Sequence, residues 1–172
     1  MTDKRGMGNL RKLIWNCRFL GDKKRIEWYP NFWLMRVKVI ELAPDWRTVR
    51  IKLPHTWLST NPGGGLFGGF QACLADPIAA MVCLKLFPEY SVWTRSLQLD
   101  FRRETLTATE LRFSITPEDE LRIQQELDAK GRSTPSFEYG FYQEDGSLCT
   151  GIKATVALRS KDYKKQGIRR LK

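Results

Sequence analysis

Apolar positions along this chain change period several times, and each change marks an element. Leu10, Leu13, Ile14, Cys17 and Leu20 recur at helical spacing, with Gly21 behind them as a C-terminal stop. Arg11, Lys12 and Arg18 lie off that stripe, so this first helix packs on its own domain or rests on a membrane surface. Trp28, Tyr29, Phe32 and Trp33 form an aromatic cluster interrupted by Pro30, which suits a core or a pocket wall. Met35, Val37 and Val39 then alternate with Arg36 and Lys38, the period of a strand. Ala43-Pro44-Asp45-Trp46 reads as a turn, and Val49, Ile51 and Leu53, alternating with Arg50 and Lys52, complete a hairpin.

Asn61-Pro62-Gly63-Gly64-Gly65 reads as a flexible loop, and residues 66–86 follow as a run that is apolar nearly all round. Its polar members are Gln71, Asp76 and Lys85. A helix without a polar face belongs inside a core or a membrane. A carboxylate in mid-run is expensive in lipid, and no other segment could span, so a central buried helix is expected, kinked or restarted at Pro77. The period then returns to two. Trp93, Arg95, Leu97, Leu99 and Phe101 are assigned to one face of a long strand, and Thr107, Thr109, Leu111, Phe113 and Ile115 to the next. Thr116 caps a short helix with Pro117 at its first position, ending near Gly131. Phe137, Tyr139 and Phe141 mark a further strand, Asp145-Gly146 a hairpin turn, and residues 148–158 the last strand. This order predicts an α+β domain, an antiparallel sheet wrapped around one long buried helix. It spans residues 1–172, with an N-terminal helical extension to about 32 and a basic tail from about 160. Because the helix is apolar on every side, a second subunit is expected to cover what the sheet leaves.

Charge refines the picture. The formal net charge of the 172 residues is +10, but it is terminal. Residues 1–38 carry ten basic and three acidic side chains, residues 159–172 seven and one, and residues 39–158 twelve and fifteen. A nucleic-acid domain would carry its basic footprint on the folded body, so no nucleic-acid partner is expected. The basic ends are solvated, or they meet RNA, anionic lipid or a phosphate-bearing ligand. Stable membrane insertion is not expected. Cys17, Cys73, Cys83 and Cys149 form no CxxC pair and His55 is the single histidine, so no metal site is expected. With a polar start and no apolar stretch behind it, the chain is expected to be cytoplasmic, with reduced thiols.

The chemistry concentrates between Asn61 and Asp76. Gly68 and Gly69 enter a helix whose first amides have no intrahelical acceptor, so they can receive a carbonyl oxygen as it becomes an oxyanion. Asp76 returns to the face of Gly69 two turns later. A carboxylate in apolar surroundings is costly without partners, and a general base or nucleophile is one reason to keep it. The alternative is structural: Asp76-Pro77 has the form of a helix restart, with Asp76 as cap. His55 has no G-x-S-x-G partner and is read as structural. Gln71 either bonds near the site or satisfies a backbone group. Arg102 and Arg103 either hold the phosphates of coenzyme A or form a solvated strand end.

The run Asn61, Gly65, Gly68-Gly69, Leu74-Ala75-Asp76 resembles the active-site segment of the hotdog-fold acyl-CoA thioesterases, closest to the branch with the phenylacetyl-CoA thioesterases. The likeness covers roughly residues 33–160, including Trp93 to Arg103 and the Asp145-Gly146 hairpin. It implies hydrolysis of an acyl-CoA thioester, with Asp76 as base or nucleophile and the Gly68 amide as oxyanion donor. It further implies that Asn61 positions water or carbonyl, and that Thr94 matches a hydroxyl supplied by the partner subunit. Phe67, which stands where many relatives have histidine, would contact substrate, as would Gly69. The resemblance implies a homodimer or dimer of dimers, and no cofactor beyond the coenzyme A of the substrate. A non-catalytic acyl-CoA or lipid-binding protein on the same fold is the alternative.

Overall fold

The computed structural model describes residues 21–161, so the helix expected over residues 10–20 and most of the basic tail lie outside the described residues. Two short helices come first, α1 (Asp22–Trp28) and α2 (Pro30–Leu34), in the stretch where a helical extension to about residue 32 and an aromatic cluster were expected. Pro30 separates them as the first residue of α2, a position where its missing N–H costs nothing. The strand expected from Met35 begins later. Arg36 turns the chain at φ 55°, the Val37 amide donates back to the Phe32 carbonyl (3.2 Å), and β1 runs Lys38–Leu42. It forms the expected hairpin with β2 (Thr48–Leu53).

The apolar run forms α3 (Gly68–Leu86), one uninterrupted helix containing Pro77. The expected restart at Pro77 is therefore corrected, and with it the reading of Asp76 as a cap. A proline inside a helix costs about 3 kcal/mol, and tertiary packing offsets that. Leu74, Ala75, Ile78, Ala79, Val82 and Cys83 are buried against the sheet. Extra donors also pin the turn before the proline: the Tyr139 hydroxyl donates to the Ala75 carbonyl and the Thr94 hydroxyl to the Asp76 carbonyl, both at 2.7 Å. Among the described residues α3 is the one helix long and apolar enough to cross a membrane, and here it packs on the sheet.

After α3 come β3 (Tyr90–Phe101), β4 (Thr109–Ser114), α4 (Pro117–Lys130), β5 (Arg132–Ser133), β6 (Ser136–Tyr142) and β7 (Leu148–Ser160). The Thr116 hydroxyl accepts from the Asp119 amide (3.1 Å), and Gly131 closes α4 at φ 62°, both as expected. The two-residue β5, pairing with β7, was not expected. All pairings are antiparallel, in the order β1-β2-β4-β6-β7-β3, so the twelve-residue β3 is an edge. Its inward and outward residues do not keep one phase. A bulge at Arg95 sets Thr94 opposite Val156 and Ser96 opposite Thr155. Val92 and Thr94 therefore lie half-buried with Leu97 and Leu99, while Trp93 and Arg95 are exposed, against the single face expected for Trp93, Arg95, Leu97, Leu99 and Phe101.

The sheet wraps the buried side of α3. On the opposite side Gly69, Cys73, Asp76 and Leu84, spaced at helical intervals, are exposed. The helix is thus covered by sheet on one side, partly by α1 and α2 on a second, and open along a stripe.

Candidate active site

Asn61 organises the chain before α3. Its Oδ1 accepts from the amides of Gly63 (2.9 Å) and Gly65 (3.1 Å), and its own amide donates to the Gly65 carbonyl (2.8 Å). The segment is a closely bonded turn, not the flexible loop expected, with Gly64 at φ 88° where a side chain would be strained. His55 Nε2 lies 3.0 Å from the Gly64 carbonyl and braces the same turn.

The next amides are committed: Leu66 donates to the Thr105 carbonyl and Phe67 to the Ser59 carbonyl, both at 2.7 Å. The Gly68 and Gly69 amides that follow have no acceptor among the described residues, and no side chain caps the helix. They present two free donors at the positive end of the helix. Both glycines let an aromatic ring lie against the backbone. A Cβ at Gly68 would stand 2.9 Å from Phe101 Cζ, and one at Gly69 would collide with the Phe67 ring. Phe67 and Phe101 are 50% and 55% exposed, so each ring covers its glycine from the solvent side.

A cavity of about 310 Å³ opens beside this helix start and brings together Asn61, Gly68, Gln71 and Arg103. Gln71 is buried, and its Oε1 accepts from the buried Thr150 hydroxyl at 2.6 Å, which fixes the amide at the cavity wall. Arg102 is not in this cavity. Its Nε donates to Asp100 at 2.7 Å, and its guanidinium lies over Gly151 on the far face of the sheet.

Asp76 lies eight residues beyond Gly68, about 12 Å along the helix axis. It lines a second, more apolar cavity of about 390 Å³ with Tyr29, Asn31, Phe32, Cys73 and Met81. The far wall comes from α1 and α2, which are firmly anchored: Glu27 accepts from the Val39 amide (3.0 Å), Asp22 from the Trp46 indole (3.1 Å), and Ile26 is buried. Burial first, and the Asp76 charge second, push the Cys73 thiol above its ordinary range, and the same two causes raise the Tyr139 phenol. The Thr94 hydroxyl reaches the Asp76 main chain of its own protomer. Asn31 and Met81 were not singled out in the sequence. Tyr29 and Phe32 were legible there as aromatic core or pocket wall, whereas Asn31 and Met81 carried no pattern. No group of three or more His, Cys, Asp or Glu among the described residues is placed to hold a metal.

One chain therefore holds a pair of free amides at the start of α3 and a carboxylate two turns on, with Gly68 lining one cavity and Asp76 another. Structural comparison places this architecture. A Pseudomonas aeruginosa protein of unknown function, described as a probable thioesterase, superposes with a TM-score of 0.69 over 90% of this chain and 95% of its own, at 18% identity. The chain has the hotdog fold. A Chlorobaculum tepidum protein of unknown function gives a TM-score of 0.66 at 14% identity over 89% and 96% of the two chains. A Haemophilus influenzae thioesterase gives 0.63 at 14% identity over 85% and 95%. No family model and no curated protein matches the sequence.

Proposed function

We propose that this hotdog protein is an acyl-CoA thioesterase that works as a homo-oligomer, a dimer or a dimer of dimers. The reading rests on one observation above all: α3 carries free Gly68 and Gly69 amides at its start and the exposed Asp76 carboxylate on the face of Gly69, about 12 Å along the axis from Gly68. One thioester carbonyl cannot meet both within a single chain. Two antiparallel copies of the stripe would set the amides of one protomer against the carboxylate of the other. The unpaired edge of β3, and the exposed rings of Trp93, Phe101 and Phe67, favour such pairing.

In that arrangement the thioester carbonyl oxygen sits on the Gly68 amide, which stabilises the charge it gains in the tetrahedral intermediate. Asp76 takes a proton from the attacking water or attacks the carbonyl itself. Collapse of the intermediate breaks the C–S bond and releases coenzyme A and the free acid. The acyl group lies along α3, in the apolar cavity beside Asp76. Arg103, at the helix-start cavity, is positioned for a phosphate of coenzyme A. No cofactor is involved, and the reaction belongs in the cytoplasm.

The second reading, a non-catalytic acyl-CoA or lipid binder, is favoured by one feature. The Phe67 and Phe101 rings lie against the two glycines whose amides the reaction needs. Thiol release from short, long and aryl acyl-CoAs separates the readings. We expect wild-type turnover that collapses by at least about a hundredfold in Asp76→Asn while binding and oligomeric state persist. Gly68→Pro removes the donor at a helix position that tolerates proline. Remixing inactive Asp76→Asn and Gly68→Pro chains should restore about a quarter of the sites if each site spans two protomers. Saturable acyl-CoA binding without turnover would establish the binding protein instead.

A further inference from the structure

Pro77 removes one main-chain donor from the turn of α3 that carries Asp76. In an unbroken helix the amide of residue 77 would donate to the carbonyl of residue 73. Proline has no such N–H, and its ring presses against that carbonyl. No side-chain donor among the described residues replaces the missing bond, whereas the neighbouring carbonyls of Ala75 and Asp76 each gain a hydroxyl donor at 2.7 Å. Cys73, Asp76 and Pro77 all line the same 390 Å³ cavity. Helical side chains lean towards the N-terminus over the preceding turn, so the Asp76 carboxylate lies over the turn that contains Cys73.

We infer that the Cys73 carbonyl, released by Pro77, is the second acceptor for the hydrolytic water. This inference rests on the thioesterase reading with Asp76 as general base. A water with two hydrogens needs two acceptors if its lone pair is to face the thioester. The carboxylate accepts the hydrogen that leaves as a proton, and the Cys73 carbonyl holds the hydrogen that stays. The water oxygen then forms the C–O bond, Asp76 carries the proton, and the departing coenzyme A thiolate takes it when the C–S bond breaks. Asp76 alone would leave the water free to rotate about its one hydrogen bond. Pro77 is thus a positioning residue that acts through a main-chain atom, and it accounts for a proline kept inside a helix that would be sounder without it.

Pro77→Ala tests this directly, because the new amide closes the helical bond and removes the acceptor. We expect kcat to fall at least about tenfold with KM within about twofold, and Tm to rise or hold, which a merely structural proline would not produce. Lactic acid at position 77, introduced through an acylated suppressor tRNA, gives a backbone ester with neither N–H nor ring. It should rescue kcat. Wild-type kcat in Pro77→Ala overturns the inference, and so does a lactic acid variant as impaired as the alanine one, since the ring would then be responsible. If the wild type itself releases no thiol, the thioesterase reading fails and this inference falls with it. An active wild type confines any failure to the role of Pro77.

Discussion

Gln71 and Thr150 form a polar pair inside an otherwise apolar core, and the energetics of that pair are calculable. Gln71 is 2% exposed and Thr150 fully buried, and the Thr150 hydroxyl donates to Gln71 Oε1 at 2.6 Å. Gln71→Met keeps the volume but leaves the Thr150 hydroxyl without its acceptor. Thr150→Val keeps the shape but leaves the Gln71 carbonyl without its donor. An orphaned buried polar group costs about 1–3 kcal/mol, so each single change should lower stability by about 2 kcal/mol. For a domain of this size that lowers Tm by about 4–8 °C. The double variant removes both partners and strands neither, so it should be closer to wild type than the sum of the singles by about 1–2 kcal/mol. Urea unfolding of the four proteins at matched concentration reads this coupling. Additive losses would refute the reasoning, because they would mean that each side chain is satisfied independently of the other.

Two further predictions follow from charges in the structure. The Arg50 guanidinium first, with Arg112 helping against the cost of burial, holds the Glu110 carboxyl below its ordinary value of 4.5. A depressed carboxylate contributes stability that is present above pH 4.5 and lost as pH falls through the folded value. Glu110→Gln should therefore be less stable than wild type at pH 7, and the difference in Tm should vanish towards pH 3. Cys83 is buried with its thiol pushed up to about 12, while Cys73 is exposed and raised partly by Asp76. In a Cys17→Ser background a disulfide-exchange reagent should modify Cys73 alone among the native-state thiols, and faster in Asp76→Asn, where the repelling charge is gone. An unchanged rate in that variant would separate the carboxylate from the thiol.

Much of the fold was legible because each element states its own period. The β1–β2 hairpin, the Thr116-Pro117 helix start, the Gly131 stop and the Asp145-Gly146 turn are local signals, and each formed as expected. The errors share a cause, which is that long-range contacts decided the outcome. Pro77 reads as a kink or a restart, yet sheet packing and the hydroxyls of Thr94 and Tyr139 hold one helix through it. The Arg95 bulge leaves no trace in an alternation that looks continuous, because it is defined only by the register of β7. Five residues of Asn, Pro and Gly suggest mobility, but Asn61 supplies an acceptor for two amides of the same turn. At the site, residue types at the helix start and at Asp76 were readable. Their separation along one helix, and the wall that Asn31 and Met81 add, needed three dimensions.

The pairing of β3 with β7 also governs how the chain emerges from the ribosome. Within a protomer β3 has β7 as its sheet neighbour, and β7 ends at Ser160. At about 5–20 residues per second, the 59 residues separating Phe101 from Ser160 take about 3–12 s to synthesise. During that interval a twelve-residue strand carrying Trp93, Leu97, Leu99 and Phe101 has no native strand beside it. The nascent protein thus passes through a period in which α3 can pack on β3 but no strand of the same chain closes its edges. Its yield in the cell should depend on chaperone capacity and elongation rate more than on the stability of the finished fold.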